Sequence, residues 1–254
     1  MEKWEAAARS FINSCDFKND IDAVFLSGSY AAGNADKFSD IDVFIILNDS
    51  VNWRERGNKQ FDGYNIEYFA NPMRQIENYI NNNYQNAHIT EINMLLGGIV
   101  IFDKNSAAQK AIDFCTQKLA SEFPKMSVFN IKTGLYHLWD GFDELTRGYS
   151  NKTPDFVMHF FKFVQSAFEL YSRYICSPVP NHHKLFRWLT DSDYSKKYGL
   201  AVYNDQVFLK MVRSAFEISD DKAMFDLSKD IYEYVTDKMG GLDINNFVMR
   251  GPCD

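Results

Sequence analysis

The sequence predicts a mixed α/β (α+β) fold: a small mixed sheet with flanking helices over residues 1–124, then a helical bundle over residues 125–254. Three observations carry this reading. Short apolar runs of strand length occur at residues 22–26, 40–47, 64–70 and 99–102, all before Pro124. They alternate with helical patterns and turn residues, the arrangement of a sheet covered by helices. After Pro124 apolar residues recur at three- and four-residue spacing in segment after segment, the mark of amphipathic helices packed on one another. Neither an internal repeat nor a low-complexity linker separates the halves.

Each element follows from its residues. Residues 2–13 place Trp4, Ala7, Ala8, Phe11 and Ile12 on one helical stripe. Residues 22–26 form the first strand, which ends at a tight Gly28-Ser29 turn leading into a short helix at 30–34. Residues 40–47 are the second strand. The polar stretch 48–63 holds Asp-Ser, Gly-Asn and Asp-Gly pairs and reads as turns. Residues 64–70 are the third strand, and Pro72 opens a helix reaching Tyr84. A second short helix spans 89–96, a short strand 99–102, and Ser106 is the expected cap of a helix to about Phe123. In the second half helices are expected at 127–147, 154–176, 182–189, 204–216 and 220–239. Turns are expected at 148–153 and at Gly240-Gly241, with interruption at Pro178 and Pro180.

Composition narrows the function. The chain has 254 residues, enough for one large or two modest domains, and 46% of them are hydrophobic. Its formal net charge of −7 excludes the basic face of a dedicated nucleic-acid binder and suits a cationic small substrate. Cys15, Cys115, Cys176 and Cys253 are scattered, with no Cys-x-x-Cys pair and no zinc spacing. They read as reduced thiols of a cytoplasmic protein. Residues 1–8 are charged and amphipathic rather than a signal segment, and no apolar run is long enough to span a membrane.

Chemistry concentrates in Phe25-Leu26-Ser27-Gly28-Ser29-Tyr30 and Ser39-Asp40-Ile41-Asp42-Val43. Side chains of a strand alternate between its faces, so Asp40 and Asp42 point together while Ile41 and Val43 point into a core. Two like charges on one face repel. A hard divalent cation such as Mg²⁺ removes that cost, because it prefers carboxylate oxygen. Backbone N–H groups at the Gly28-Ser29 turn, with the serine hydroxyl, are suited to phosphate oxygens. A phosphate cradle beside a carboxylate pair is the equipment of phosphoryl or nucleotidyl transfer.

These residues resemble the polymerase-β-like nucleotidyltransferase superfamily, whose signature is a Gly-Ser pair followed about ten residues later by Asp-hydrophobic-Asp on a strand. The run Gly28-Ser29-Tyr30-Ala31-Ala32-Gly33 and Ser39 before Asp40 are most similar to its small bacterial branch, which holds aminoglycoside (kanamycin-type) and lincosamide enzymes and minimal antitoxins. The resemblance is firm over residues 24–69. It implies that Asp40, Asp42 and Glu67 bind Mg²⁺ and act in catalysis, Glu67 occupying the superfamily's third carboxylate position. It implies that Gly28, Ser29 and Ser39 hold ATP or another nucleoside triphosphate. The expected reaction moves a nucleoside monophosphate, AMP from ATP, onto a hydroxyl of a small cationic acceptor resembling an aminoglycoside, by a monomer or homodimer. AMP transfer to a protein, as in the antitoxins, and a non-catalytic nucleotide-binding regulator are the competing readings.

Beyond this stretch the sequence offers less. Trp139-Asp140-Gly141-Phe142-Asp143-Glu144 places three carboxylates on one helix. Drug-modifying relatives carry a catalytic carboxylate on the corresponding helix, which makes Asp140 or Glu144 the candidate general base, against a solvated acidic face as the alternative. Arg147 either contacts phosphate or complements its helix end. His137 and His159 read as packing or hydrogen-bonding residues, and His182-His183 as a helix start. Phe156, Phe160, Phe161, Phe163, Phe168 and Tyr171 read as a core stripe. One departure matters: relatives carry a basic residue soon after the Gly-Ser pair, whereas Ala31-Ala32 are neutral here and Lys37 is the one base of that loop.

Overall fold

A computed structural model describes residues 2–178, 185–191, 194 and 202–251. The described residues divide into two compact units, one before and one after the boundary between Glu122 and Phe123. Pro180, His182, His183 and Cys253 lie outside the described residues.

In the first unit, helix α1 (Lys3–Ser14) precedes strand β1 (Ile21–Ser27), the one-turn helix α2 (Gly28–Ala31) and strand β2 (Ile41–Leu47). Strands β3 (Glu55–Phe61) and β4 (Tyr64–Pro72) follow, then α3 (Met73–Tyr84), α4 (Thr90–Leu96), β5 (Ile99–Asp103) and α5 (Ala107–Leu119). The sheet order is β3-β4-β2-β1-β5, with β2 and β4 parallel and every other neighbouring pair antiparallel. The mixed sheet and flanking helices are those expected from the sequence.

Strands β1 and β2 form the middle of the sheet and are buried along nearly their whole length, which is why they read as continuous apolar runs. One face of the sheet packs Ile41, Val43, Ile45, Ile66, Tyr68 and Val24 against Ala8 and Phe11 of α1, all buried. Apolar burial of this kind contributes roughly 25 cal/mol per Å² and holds the strand ends in place.

Three local expectations are corrected. The stretch 48–63 is not all turn: it contains β3, an edge strand whose seven residues are exposed or half-exposed. It carries no alternating apolar pattern to read, because neither of its faces is sealed. Ser106 does not cap α5 with its side chain; it sits at φ 58, in left-handed backbone. The Asp103 carboxylate does that work, accepting from the Ala108 N–H at 3.0 Å. Residues 148–151 are helical rather than turn. Gly148 is buried, and a Cβ there would meet the Thr153 hydroxyl at 3.2 Å, so glycine reflects close packing instead of a stop.

The second unit is helical: α6 (Val128–Asn151), α7 (Phe156–Tyr174), α8 (Leu185–Thr190), α9 (Gln206–Ser214) and α10 (Asp221–Lys238). The Ser127 hydroxyl caps α6, accepting from the Asn130 N–H at 3.1 Å. Helices α6, α7 and α10 pack on one another through stacked rings, including Phe142 on Tyr232 at 4.7 Å and Tyr149 on Phe225 at 4.5 Å. The expected aromatic stripe is core at Phe156, Phe160, Phe163, Phe168 and Tyr171, whereas Phe161 is 40% exposed. No described helix is long and apolar enough to cross a membrane.

Candidate active site

The site is built where β1, β2 and β4 begin or end together. In the sheet register Ser27 stands opposite Asp42, Asp42 opposite Glu67, and Glu67 opposite Asn58. Paired residues of adjacent strands share a face, about 4.8 Å apart, so Asp42 and Glu67 lie side by side on the face opposite Ile41 and Ile66. Both carboxylates are half-buried, while Ile41 and Ile66 are fully buried.

Gly28 explains why this end of the sheet is open to the Asp42 carboxylate. Its φ of +68 is left-handed, and a Cβ there would lie 1.7 Å from Asp42 Oδ2. Only a residue without a side chain brings its backbone this close to the carboxylate. Ser29 follows within α2, half-buried, and its carbonyl accepts from the Asn34 N–H at 3.0 Å. Behind the turn, the buried Ser27 hydroxyl donates to the Met94 carbonyl at 2.6 Å and ties β1 to α4.

Asp40 lies half-buried immediately before β2. The loop leading to it is closed by its own polar groups. Asp36 Oδ1 accepts from the Phe38 N–H at 2.8 Å and from the Ser39 hydroxyl at 3.2 Å, and Ser39 Oγ accepts from the Asp36 N–H at 2.8 Å. The Ser39 side chain is thus engaged in shaping this loop. Burial, followed by the neighbouring groups of Tyr64, Asp36 and Asp40, pushes the Tyr30 phenol above its ordinary value.

Glu67 has a partner that the sequence did not reveal. Arg56 of β3 donates from Nη2 to Glu67 Oε1 at 2.7 Å, and its guanidinium lies 4.6 Å from the centre of the Phe69 ring. The signal was the charged run Arg54-Glu55-Arg56, but without a strand assignment it pointed nowhere.

The donors fit a hard divalent cation in part. Asp40 and Asp42 offer oxygen only, at the end of a rigid strand, and the missing side chain of Gly28 makes room for the Asp42 carboxylate itself. Glu67 is engaged with Arg56 rather than gathered with them. Among the described residues no group of three or more His, Cys, Asp or Glu converges to hold a metal.

The helical unit holds the other candidates. Asp140 is exposed on α6. Asp143 and Glu144 pair with Arg147 of the same helix at 2.6 and 3.5 Å, and His159 with Asp155 at 3.3 Å. Back in the sheet unit, Cys15 and Cys115 are buried free thiols, pushed up to about 11 and about 12 chiefly by burial.

Comparison with known proteins places this arrangement. Residues 8–90 match the family model of the nucleotidyltransferase domain. That stretch carries Gly28, Ser29, Asp40, Asp42 and Glu67, so the candidate residues of the sheet unit lie within the matched segment. No curated protein matches the chain. Among solved structures it is similar to a nucleotidyltransferase-like protein from Exiguobacterium sibiricum, at 11% identity and a TM-score of 0.49, over 91% of this chain and 73% of that one.

Proposed function

We propose that this protein is a Mg²⁺-dependent nucleotidyltransferase that moves AMP from ATP onto a hydroxyl of a small, cationic, aminoglycoside-like molecule. The observation that carries the reading is the Asp42 carboxylate set against the left-handed Gly28 backbone, with Glu67 in register beside it. A charged group on a sheet flanked by buried Ile41 and Val43 costs stability unless it serves a purpose.

In this reading Asp40 and Asp42 hold the metal, which when bound neutralises charge growing on the α-phosphate. Gly28, Ser29 and Ser39 form the nucleotide-binding turn and loop, and the close Gly28–Asp42 packing keeps that turn next to the carboxylates. Glu67 takes the proton of the acceptor hydroxyl as its oxygen attacks phosphorus, and pyrophosphate leaves; Asp140 is the alternative base. The excess of acidic residues attracts ammonium groups of the acceptor.

The test uses ATP labelled at the α-phosphate with an aminoglycoside panel and, separately, a cell lysate. Label on a drug supports the reading. Label on a protein band replaces it with protein AMP transfer, and no label in either assay leaves a nucleotide-binding regulator. Loss of the label in Asp40→Asn assigns it to this site, and full activity in that variant would sink the assignment.

A further inference from the structure

The site as described has too few cations for a triphosphate. The turn after Gly28-Ser29 is neutral at Ala31 and Ala32, and the Lys37 ammonium lies 4.8 Å from the centre of the exposed Phe38 ring. Elsewhere in the sheet unit Arg9 binds Glu5 and the Ile101 carbonyl, and Arg74 binds the Asp49 and Val51 carbonyls. Lys59 lies over the Phe11 and Tyr68 rings, on the opposite, α1-covered face. Arg56 differs from these in that it pairs with a site carboxylate.

Its placement follows from the register. Arg56 stands opposite Phe69 and Asn58 opposite Glu67, so the arginine reaches back one same-face row to the carboxylate beside Asp42. The Phe69 ring under the guanidinium restricts how that head can turn. The Arg56 side chain is 70% exposed and that of Glu67 22%, so the pair opens directly to solvent.

We propose that Arg56 is a triphosphate-binding residue that exchanges Glu67 for the β- and γ-phosphates of an incoming nucleotide, releasing the Glu67 carboxylate to the acceptor. The inference rests on the nucleotide site proposed above. Its physical basis is a difference between partners. An exposed arginine–carboxylate pair is weak and gives way easily. A polyphosphate carries more charge and matches the guanidinium fork at two oxygens. Exchange also relieves a conflict, because Glu67 cannot serve a reacting hydroxyl while its oxygen is committed to Arg56.

Calorimetric titration with Mg²⁺ and α,β-methylene-ATP, which is not turned over, tests this beside titration with AMP, which lacks the β- and γ-phosphates. Arg56→Ala is expected to weaken the triphosphate analogue about tenfold to a hundredfold and AMP by less than about twofold. Arg56→Lys, a point charge without the fork, is expected to recover part of the loss. Wild-type protein binding the analogue while Arg56→Ala binds it equally well overturns the role of Arg56 and leaves the nucleotide site standing. Equal losses for analogue and AMP also overturn it, because they mark a structural role. Wild-type protein that binds no analogue removes the nucleotide site itself, and the inference with it.

Discussion

Asp42 and Asp205 show two ways for a fold to keep a carboxylate. Asp205 stands just ahead of α9 and accepts four hydrogen bonds: from Tyr171 and Tyr234 hydroxyls at 2.7 and 2.8 Å, and from the Val207 and Phe208 N–H groups at 3.1 and 3.0 Å. Burial raises its pKa, but the bonds from Phe208, Tyr171, Tyr234 and Val207 outweigh that and leave it below the usual carboxylate value. Those bonds join α7, α9 and α10, so Asp205 is a knot in the helical unit. Asp42 instead lies against the backbone of Gly28, in register with another acid, at the exposed end of a buried strand. One carboxylate draws donors from three helices; the other is paired in register with a second acid on the adjacent strand. Neighbouring carboxylates of the second kind are what a divalent cation favours in general.

The contrast can be tested by substitution. The largest effect is expected from Asp42→Asn, as from Asp40→Asn: transfer falls by roughly a thousandfold or more, while the amide of the same shape keeps thermal melting near the wild-type temperature. Turnover and melting measured on the same preparation check this, and a destabilised Asp42→Asn would place Asp42 with Asp205. Gly28→Ala comes next. Its Cβ cannot coexist with Asp42 Oδ2, and its left-handed backbone adds about 1–2 kcal/mol of strain, so both turnover and melting temperature drop. Asp205→Ala reverses the pattern, costing about 2–4 kcal/mol in denaturant unfolding while nucleotide affinity is unchanged. Because the folded pKa of Asp205 is depressed, its contribution to stability is present above the unfolded value near 3.8 and lost as pH falls through the folded value. Wild-type protein should therefore lose more stability than Asp205→Ala on acidification below about pH 4. The smallest effect is that of Tyr234→Phe, about 1 kcal/mol, which removes one donor to Asp205 and leaves the cap intact.

The same pair explains what was legible in the sequence. Gly28, Asp40 and Asp42 fall within fifteen residues, and strand alternation with turn chemistry is enough to set them on one surface. Glu67 was readable because its strand is apolar at Ile66 and Tyr68, and the parallel pairing of β2 and β4 brings it beside Asp42. Arg56 was not, because an exposed edge strand lacks the pattern that reveals a strand at all. Asp205 was invisible for a different reason. Its partners Tyr171 and Tyr234 lie on helices far apart in sequence, and only packing decides which hydroxyls converge on which acid. Ser106 and Gly148 misled because a good capping residue and a helix breaker act through local geometry, and here the neighbours Asp103 and Phe156 set that geometry.

The parallel pairing of β2 with β4 has a kinetic consequence. Chain order runs β2, β3, β4, yet β4 must bypass β3 to lie against β2 while β3 takes the outer edge. Contacts of this separation form late, since loop closure comes before the pairing that rewards it. The helices of the second unit each form through hydrogen bonds only four residues apart along the chain. On dilution from denaturant, helical circular dichroism is therefore expected to return before the proposed transfer activity does, and recovered activity then reports completion of the sheet rather than of the chain as a whole.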